Sequence, residues 1–129
     1  MEIALRSALM GWLASDTALS SQLNALVEEA PSRTALPWLA IAASASADWS
    51  AKDRIGREVR VALELHCRGD RADSAATLVG LIENRVASLP AAQPGFRVVT
   101  TQFLRARAEQ RGANSRAILL EYRFRVMAD

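Results

Sequence analysis

The chain has 129 residues, 50% hydrophobic but only 5% aromatic, and carries 16 basic and 14 acidic groups for a formal net charge of +2. This is the size of one domain, and the composition excludes a disordered polyelectrolyte, a collagen-like repeat and a disulfide-stapled miniature fold. Alanine fills 25 positions, so the apolar fraction is short of bulky side chains, a profile that suits a subunit drawing stability from its neighbours.

In chain order, Leu5, Leu9, Trp12 and Leu13 make the stripe of an amphipathic helix. Glu2 precedes Arg6 and the stripe is not a continuous apolar block, so this start reads as a mature helix rather than a targeting signal. No run is long and apolar enough for a membrane span. Ser20 or Ser21 is expected to cap a short second helix through Leu23, Leu26 and Val27, ending before Pro31. Pro37 then opens a strand, Trp38 to Ala42. Residues 43–57, with small residues, two aspartates and a glycine, read as an extended loop or arm in which Trp49 lacks an evident burial site.

The clearest strand is 58–66, where Val59, Val61, Leu63 and Leu65 alternate with Glu58, Arg60, Glu64 and His66. Asp70 or Asp73 caps a helix from about Asp73 to Leu89, ended by Pro90 and the Pro94–Gly95 turn. Strands Phe96–Glu109 and Ala117–Met127 close the chain around Gly112 and Asn114. The expected fold is α+β in the order α-α-β-β-α-β-β. It has one domain over 1–129 and a mostly antiparallel sheet of about four strands, packed by one long helix and the N-terminal helices.

Charge is unevenly placed. Residues 1–50 sum to −3 and residues 51–129 to +5, with the excess at Arg97, Arg105, Arg107, Arg111, Arg116, Arg123 and Arg125. Such asymmetry marks a nucleic-acid surface or a complementary protein contact. Phe96, Phe103, Tyr122 and Phe124 fit a core pattern better than a base-stacking platform, and the 70–89 helix has only Arg71 and Arg85. The arginine face, with Arg105, Arg107, Arg123 and Arg125 as its candidates, therefore reads as a ring lining or charged interface before a free DNA reader.

Catalytic and metal readings fare worse. Cys67 is the only cysteine, so no internal disulfide forms. It adjoins His66, the only histidine, and neighbouring strand residues point to opposite faces. Neither a metal pair nor a Cys–His nucleophile is expected. Among the carboxylates, Asp70 and Asp73 serve as helix caps, and Glu83 has no evident catalytic partner. Asp48 and Asp53 share the 43–57 segment with Lys52, Arg54 and Arg57, the place for a small enzyme's site, but nothing there fixes a nucleophile. No GxGxxG, phosphate-binding loop or HExxH occurs. The chain reads as no enzyme, with no cofactor.

The run Leu36–Pro37–Trp38–Leu39, then Asp48–Trp49–Ser50, Gly56–Arg57–Glu58–Val59 and the strand Val61 to Cys67, followed by a helix and a closing hairpin, resembles a known family. It is similar to the tail-completion, or tail-terminator, family of tailed phages with long non-contractile tails. The version in gene transfer agents, the phage-like particles of alphaproteobacteria, is the nearest in pattern. The family commonly has an aromatic where this chain has Cys67, and a tyrosine where it has Trp38. The resemblance implies a virion structural protein: a homo-hexameric ring at the head-proximal end of the tail, cytoplasmic before assembly. Such a ring stops tail-tube polymerisation and docks the head–tail connector, adaptor or stopper. DNA passes its bore without sequence-specific binding, and no membrane is involved. On that basis Trp49, with Asp48, Lys52, Asp53, Arg54 and Arg57, is the expected arm that reaches a neighbour or the tube. The rival readings are a basic nucleic-acid-binding module and, less favoured, a small enzyme sited in 43–57.

Overall fold

The computed structural model describes residues 1–29, 34–69, 72–112 and 114–129. The N-terminal stripe forms α1 (Glu2–Ala14), burying Leu5, Leu9, Met10 and Leu13. Asp16 then caps a single turn, α2 (Thr17–Ser20), by accepting the Ala18 N–H at 3.1 Å. The longer second helix expected through Leu23, Leu26 and Val27 does not form; Ala25–Val27 is a strand, β1. The reason is local anchoring at Asn24. Its N–H donates to the Pro37 carbonyl at 2.8 Å, and its side-chain amide donates to the carbonyls of Ala35 and Leu36. So few residues cannot nucleate a helix on propensity alone, whereas beside β2 their backbone finds partners.

The remaining elements are β2 (Trp38–Asp48), β3 (Gly56–Arg68), α3 (Ala72–Ala87), β4 (Ala92–Gln93), β5 (Phe96–Gln110) and β6 (Ser115–Ala128). The order is therefore α-α-β-β-β-α-β-β-β. Among the described residues the sheet is mixed and six-stranded, in the order β1-β2-β3-β6-β5-β4, and curls into a half-barrel beside three helices. This corrects the expected four strands and their order. The two additional strands are short edge pieces: β1 runs parallel to β2, and β4 pairs with the start of β5 across the Pro94–Gly95 turn. Backbone pairing defines both, and neither is long enough to show a hydrophobic period.

The segment 43–57 is likewise more regular than expected. Residues 43–48 continue β2 and pair with β3 down to Asp48 opposite Arg57. Only 49–55 connect the two strands.

Alternation along β3 and β6 sends Val59, Val61, Leu63 and Leu65 and, from β6, Leu120, Tyr122, Phe124 and Val126 to one face. There they form one core with α1 and with Leu78, Ile82 and Val86 of α3. The helices are tied to each other as well. The Trp12 indole N–H donates to the Arg85 carbonyl at 2.9 Å, and the Arg85 guanidinium lies 3.5 Å from the Trp12 ring centre. Phe103, expected in the core, packs edge-on against Tyr122 but is 46% exposed, because it lies on β5 where that strand has no second neighbour among the described residues.

Candidate functional site

The face of the sheet opposite the core gathers the charge. Period two places Glu58, Arg60, Glu64 and His66 of β3 there, with Leu119, Glu121, Arg123 and Arg125 of β6. The register sets Glu58 against Arg125, Arg60 against Arg123 and Ala62 against Glu121. On β5, Gln102 lies opposite Arg123, Arg105 opposite Glu121 and Arg107 opposite Leu119. Gln102 and Arg105 would fall on opposite faces of a regular strand. A bulge between Phe103 and Arg105 absorbs one residue and brings both to the charged side. Arg105 and Arg107 of β5 thus lie on the same side of the sheet as Arg123 and Arg125 of β6.

Each of these guanidiniums has a partner. Arg125 Nε lies 3.1 Å from Glu58, Arg107 Nε 3.2 Å from Glu109, and Arg105 makes a two-pronged contact with Glu121. Arg123 donates to the Gln102 carbonyl oxygen. The Arg105 hydrogen bond holds the Glu121 carboxyl below its ordinary range, and the same bond pushes Arg105 further up. Ion pairs this exposed are screened by water and contribute little to stability, so they order the arginines more than they hold the fold. Arginine still outnumbers glutamate across the face.

At one end of this face His66 stacks on Trp38, ring centres 4.0 Å apart, and its Nε2 meets Glu64 at 2.6 Å. Arg111 reaches the same carboxylate at 3.6 Å. His66 and Cys67 diverge, as alternation requires. Cys67 is buried on the core side, where burial pushes its thiol up. Among the described residues no group of His, Cys, Asp and Glu is suited to a metal.

At the other end lies the β2–β3 connection, which orders most of the expected arm residues. Trp49 is half-buried; its N–H donates to the Gly56 carbonyl at 3.0 Å, and the Arg125 guanidinium stands 5.5 Å from its ring centre. Arg125 thus joins the arginine face to the connection. Asp48 accepts the Ser50 N–H at 3.2 Å and its hydroxyl at 2.6 Å, the role of a turn-forming carboxylate rather than a general base. Lys52 and Asp53 are exposed at a tip closed by paired Ala51 and Arg54, and Arg57 donates to Ser46 Oγ at 3.2 Å. Ile55 is 65% exposed beside them. Of the remaining carboxylates, Asp73 accepts the Ser74 N–H at 3.1 Å and Glu83 is half-buried on α3, while Asp70 lies outside the described residues. Sequence reasoning missed the acidic and amide partners of the arginines and the Trp38–His66 stack. Alternation in β3 put Glu58 and Glu64 on one side, but only the strand order shows what adjoins them.

Residues 7–127 match the family described as Tail completion protein gp17. The chain belongs to this family. It is a structural tail protein, in agreement with the resemblance read from the sequence and with a non-enzymatic role. Among solved structures it is similar to a chain in the virion of a native gene transfer agent particle. The two are 22% identical with a TM-score of 0.79, covering 97% of this chain and 96% of that one. The tail-completion fold is thus shared from end to end. No functionally curated protein matches the sequence.

Proposed function

We propose that this tail-completion protein forms a hexameric ring at the head-proximal end of the tail. The ring ends the tube, receives the head–tail connector and lets DNA through its bore. The observation that carries this reading is the sheet face opposite the helix-packed core, on which Arg60, Arg105, Arg107, Arg123 and Arg125 are brought together. Unpaired arginines would grip phosphate, each adding a salt-dependent increment of affinity. Interleaved with Glu58, Glu109 and Glu121, they give a mildly positive lining that DNA traverses without being held. The β2–β3 connection, with Trp49 half-covered and Ile55 exposed, is the arm that meets the neighbouring subunit or the tube; tryptophan is a common anchor at such contacts.

Size-exclusion chromatography with light scattering tests the ring directly. A mass near six times the 14.0 kDa of the chain is expected, alone or on addition of the tail-tube protein. A monomer under both conditions overturns it. The rival, a free nucleic-acid-binding module, predicts salt-dependent binding of duplex DNA by the monomer, and that result would replace the ring reading.

A further inference from the structure

Two strand edges have no partner strand along most of their length among the described residues. On β5, β4 covers only Phe96 and Arg97, and the Val98 N–H bonds to the Ala91 carbonyl; from Val99 to Gln110 the edge is open. On β2, β1 covers only Trp38 to Ala40, and the edge is open from Ile41 to Asp48. Soluble proteins guard open edges with charges or proline. Residues 41–47 hold only isoleucine, alanine and serine. The β5 edge in turn exposes Val99 (52%) and Phe103 (46%).

We infer that the open edge of β5 in one copy pairs antiparallel with the open edge of β2 in the next, with Ala45 facing Arg105 and Ala43 facing Arg107. The pairing makes the arginine face continuous from subunit to subunit. It rests on the ring reading, since a head-to-tail contact closes only through rotation.

Strand direction supports this partner. β2–β3, β3–β6 and β6–β5 are all antiparallel, so β5 runs opposite to β2. Rotation about a ring axis keeps directions along that axis. The β5 of one copy beside the β2 of the next is therefore antiparallel, continuing the ladder already present.

Side-chain parity supports the register. Within the paired stretch each edge carries one bulge, between Ile41 and Ala43 on β2 and between Phe103 and Arg105 on β5; the other bulge of β5, between Val98 and Thr100, lies beyond the end of β2. With Ala45 against Arg105 and both bulges stepped over, Ser44 meets Ala106, Ser46 meets Phe103 and Ile41 meets Ala108. Every pair then shares a face. A slip of one residue would set alanines of the charged face against core-side residues. A slip of two towards β4 would bring Ala108 to Leu39, a place already taken by Leu26 of β1.

Bulk and charge agree as well. The alanines of β2 leave room for the long side chains of Arg105 and Arg107. Glu28, paired with Arg6 at 3.4 Å, and Glu29 are exposed and follow β1; in this register the Arg107 and Arg111 end of β5 comes to that side of β2.

Cross-linking in the full chain tests the pairing. Facing Cβ atoms in an antiparallel pair lie about 4.5–5.5 Å apart, close to disulfide reach. The double variant Ala45→Cys with Arg105→Cys should, on mild oxidation, give a non-reducing ladder that ends at the hexamer. Each single variant, and the opposite-face pair Ala45→Cys with Ala106→Cys, should stay monomeric on the gel. All three positions are exposed and Cys67 is buried, so folding and background are controlled by unfolding curves and by the unmodified chain. A ring-sized mass by light scattering without the cross-link overturns the strand pairing and leaves the ring. Dimers from Arg105→Cys alone overturn the head-to-tail arrangement. A chain that is monomeric with and without the tail-tube protein, and not cross-linked, overturns both readings.

Discussion

Gly56 sits where β3 begins and where the β2–β3 connection folds back on it. A Cβ at this position would lie 2.5 Å from the Trp49 carbonyl oxygen and 2.9 Å from Met127 Sδ. The methionine can swing aside; the backbone oxygen cannot, because the neighbouring Trp49 N–H is bonded to the Gly56 carbonyl at 3.0 Å. Gly56→Ala must therefore push the connection off its strand. Overpacking of this kind costs about 1–3 kcal/mol, and losing the hydrogen bond adds about 1 kcal/mol. Restricting the unfolded chain returns about 0.4–1 kcal/mol. A net loss of about 1–3.6 kcal/mol follows from these terms. At about 2.1 cal/mol/K per residue, each kcal/mol moves the Tm of a chain this long by roughly 4 °C. Calorimetry at fixed protein concentration should show a fall of about 4–13 °C. Gly80→Ala in α3 supplies the opposite sign. Nothing lies within 4 Å of its Cβ, and alanine in a helix gains about 1 kcal/mol over glycine. If Gly56→Ala melts at or above the unmodified protein while Gly80→Ala behaves as stated, the close approach at Trp49 is absent and the reasoning fails.

Trp49→Ala should leave the monomer folded, with a loss of about 1 kcal/mol from its contact with Arg125, while ring-sized mass in light scattering disappears; global unfolding would instead assign Trp49 to the core. The Tyr122 hydroxyl is buried without a hydrogen-bond partner among the described residues, and burial, with Glu83 nearby, pushes its pKa up to about 12. Tyr122→Phe should then be neutral or stabilising by up to about 1 kcal/mol in urea unfolding, and a loss larger than that would show that the hydroxyl is satisfied. Glu121, held below its ordinary 4.5 by Arg105, contributes stability that is present above that value and lost as pH falls through its lower folded-state value. Glu121→Gln should narrow the difference in urea midpoint between about pH 7 and about pH 3, by a small amount because the pair is exposed; an unchanged difference would remove Glu121 from the acid response.

What the sequence disclosed follows the range of the forces involved. Val59, Val61, Leu63 and Leu65 announce β3, and Ile118 to Val126 announce β6, because burial on one face writes itself into alternate positions. Residues 43–48 give no such signal. Alanine suits either face, and Ser44 is polar on the core side because it meets Glu2 and Arg6 of α1. Their strand is set by pairing with β3, a contact that no local period encodes. β1 and β4 escaped for the same reason. The arginines were legible by alternation, but their partners were not. Glu58 and Arg125 meet across 67 positions, and the bulge that turns Arg105 to the charged face leaves no local mark in the sequence.

The alanine-rich composition takes on a definite meaning along β2. A strand of Ile41, Ala42, Ala43, Ser44, Ala45, Ser46 and Ala47 has little side-chain area to bury, so an interface built on it draws on its backbone ladder. Each hydrogen bond there contributes about 0.5–1.5 kcal/mol net, whereas bringing two copies together costs about 4–15 kcal/mol. One such edge-to-edge contact is therefore weak, and an open chain of copies falls apart. Closing the ring gives every copy two contacts, and the last contact forms without immobilising a further subunit, so closure is cooperative. Assembly should accordingly rise steeply with concentration, and a template that holds several copies side by side, such as the end of a tail tube, should lower the concentration required.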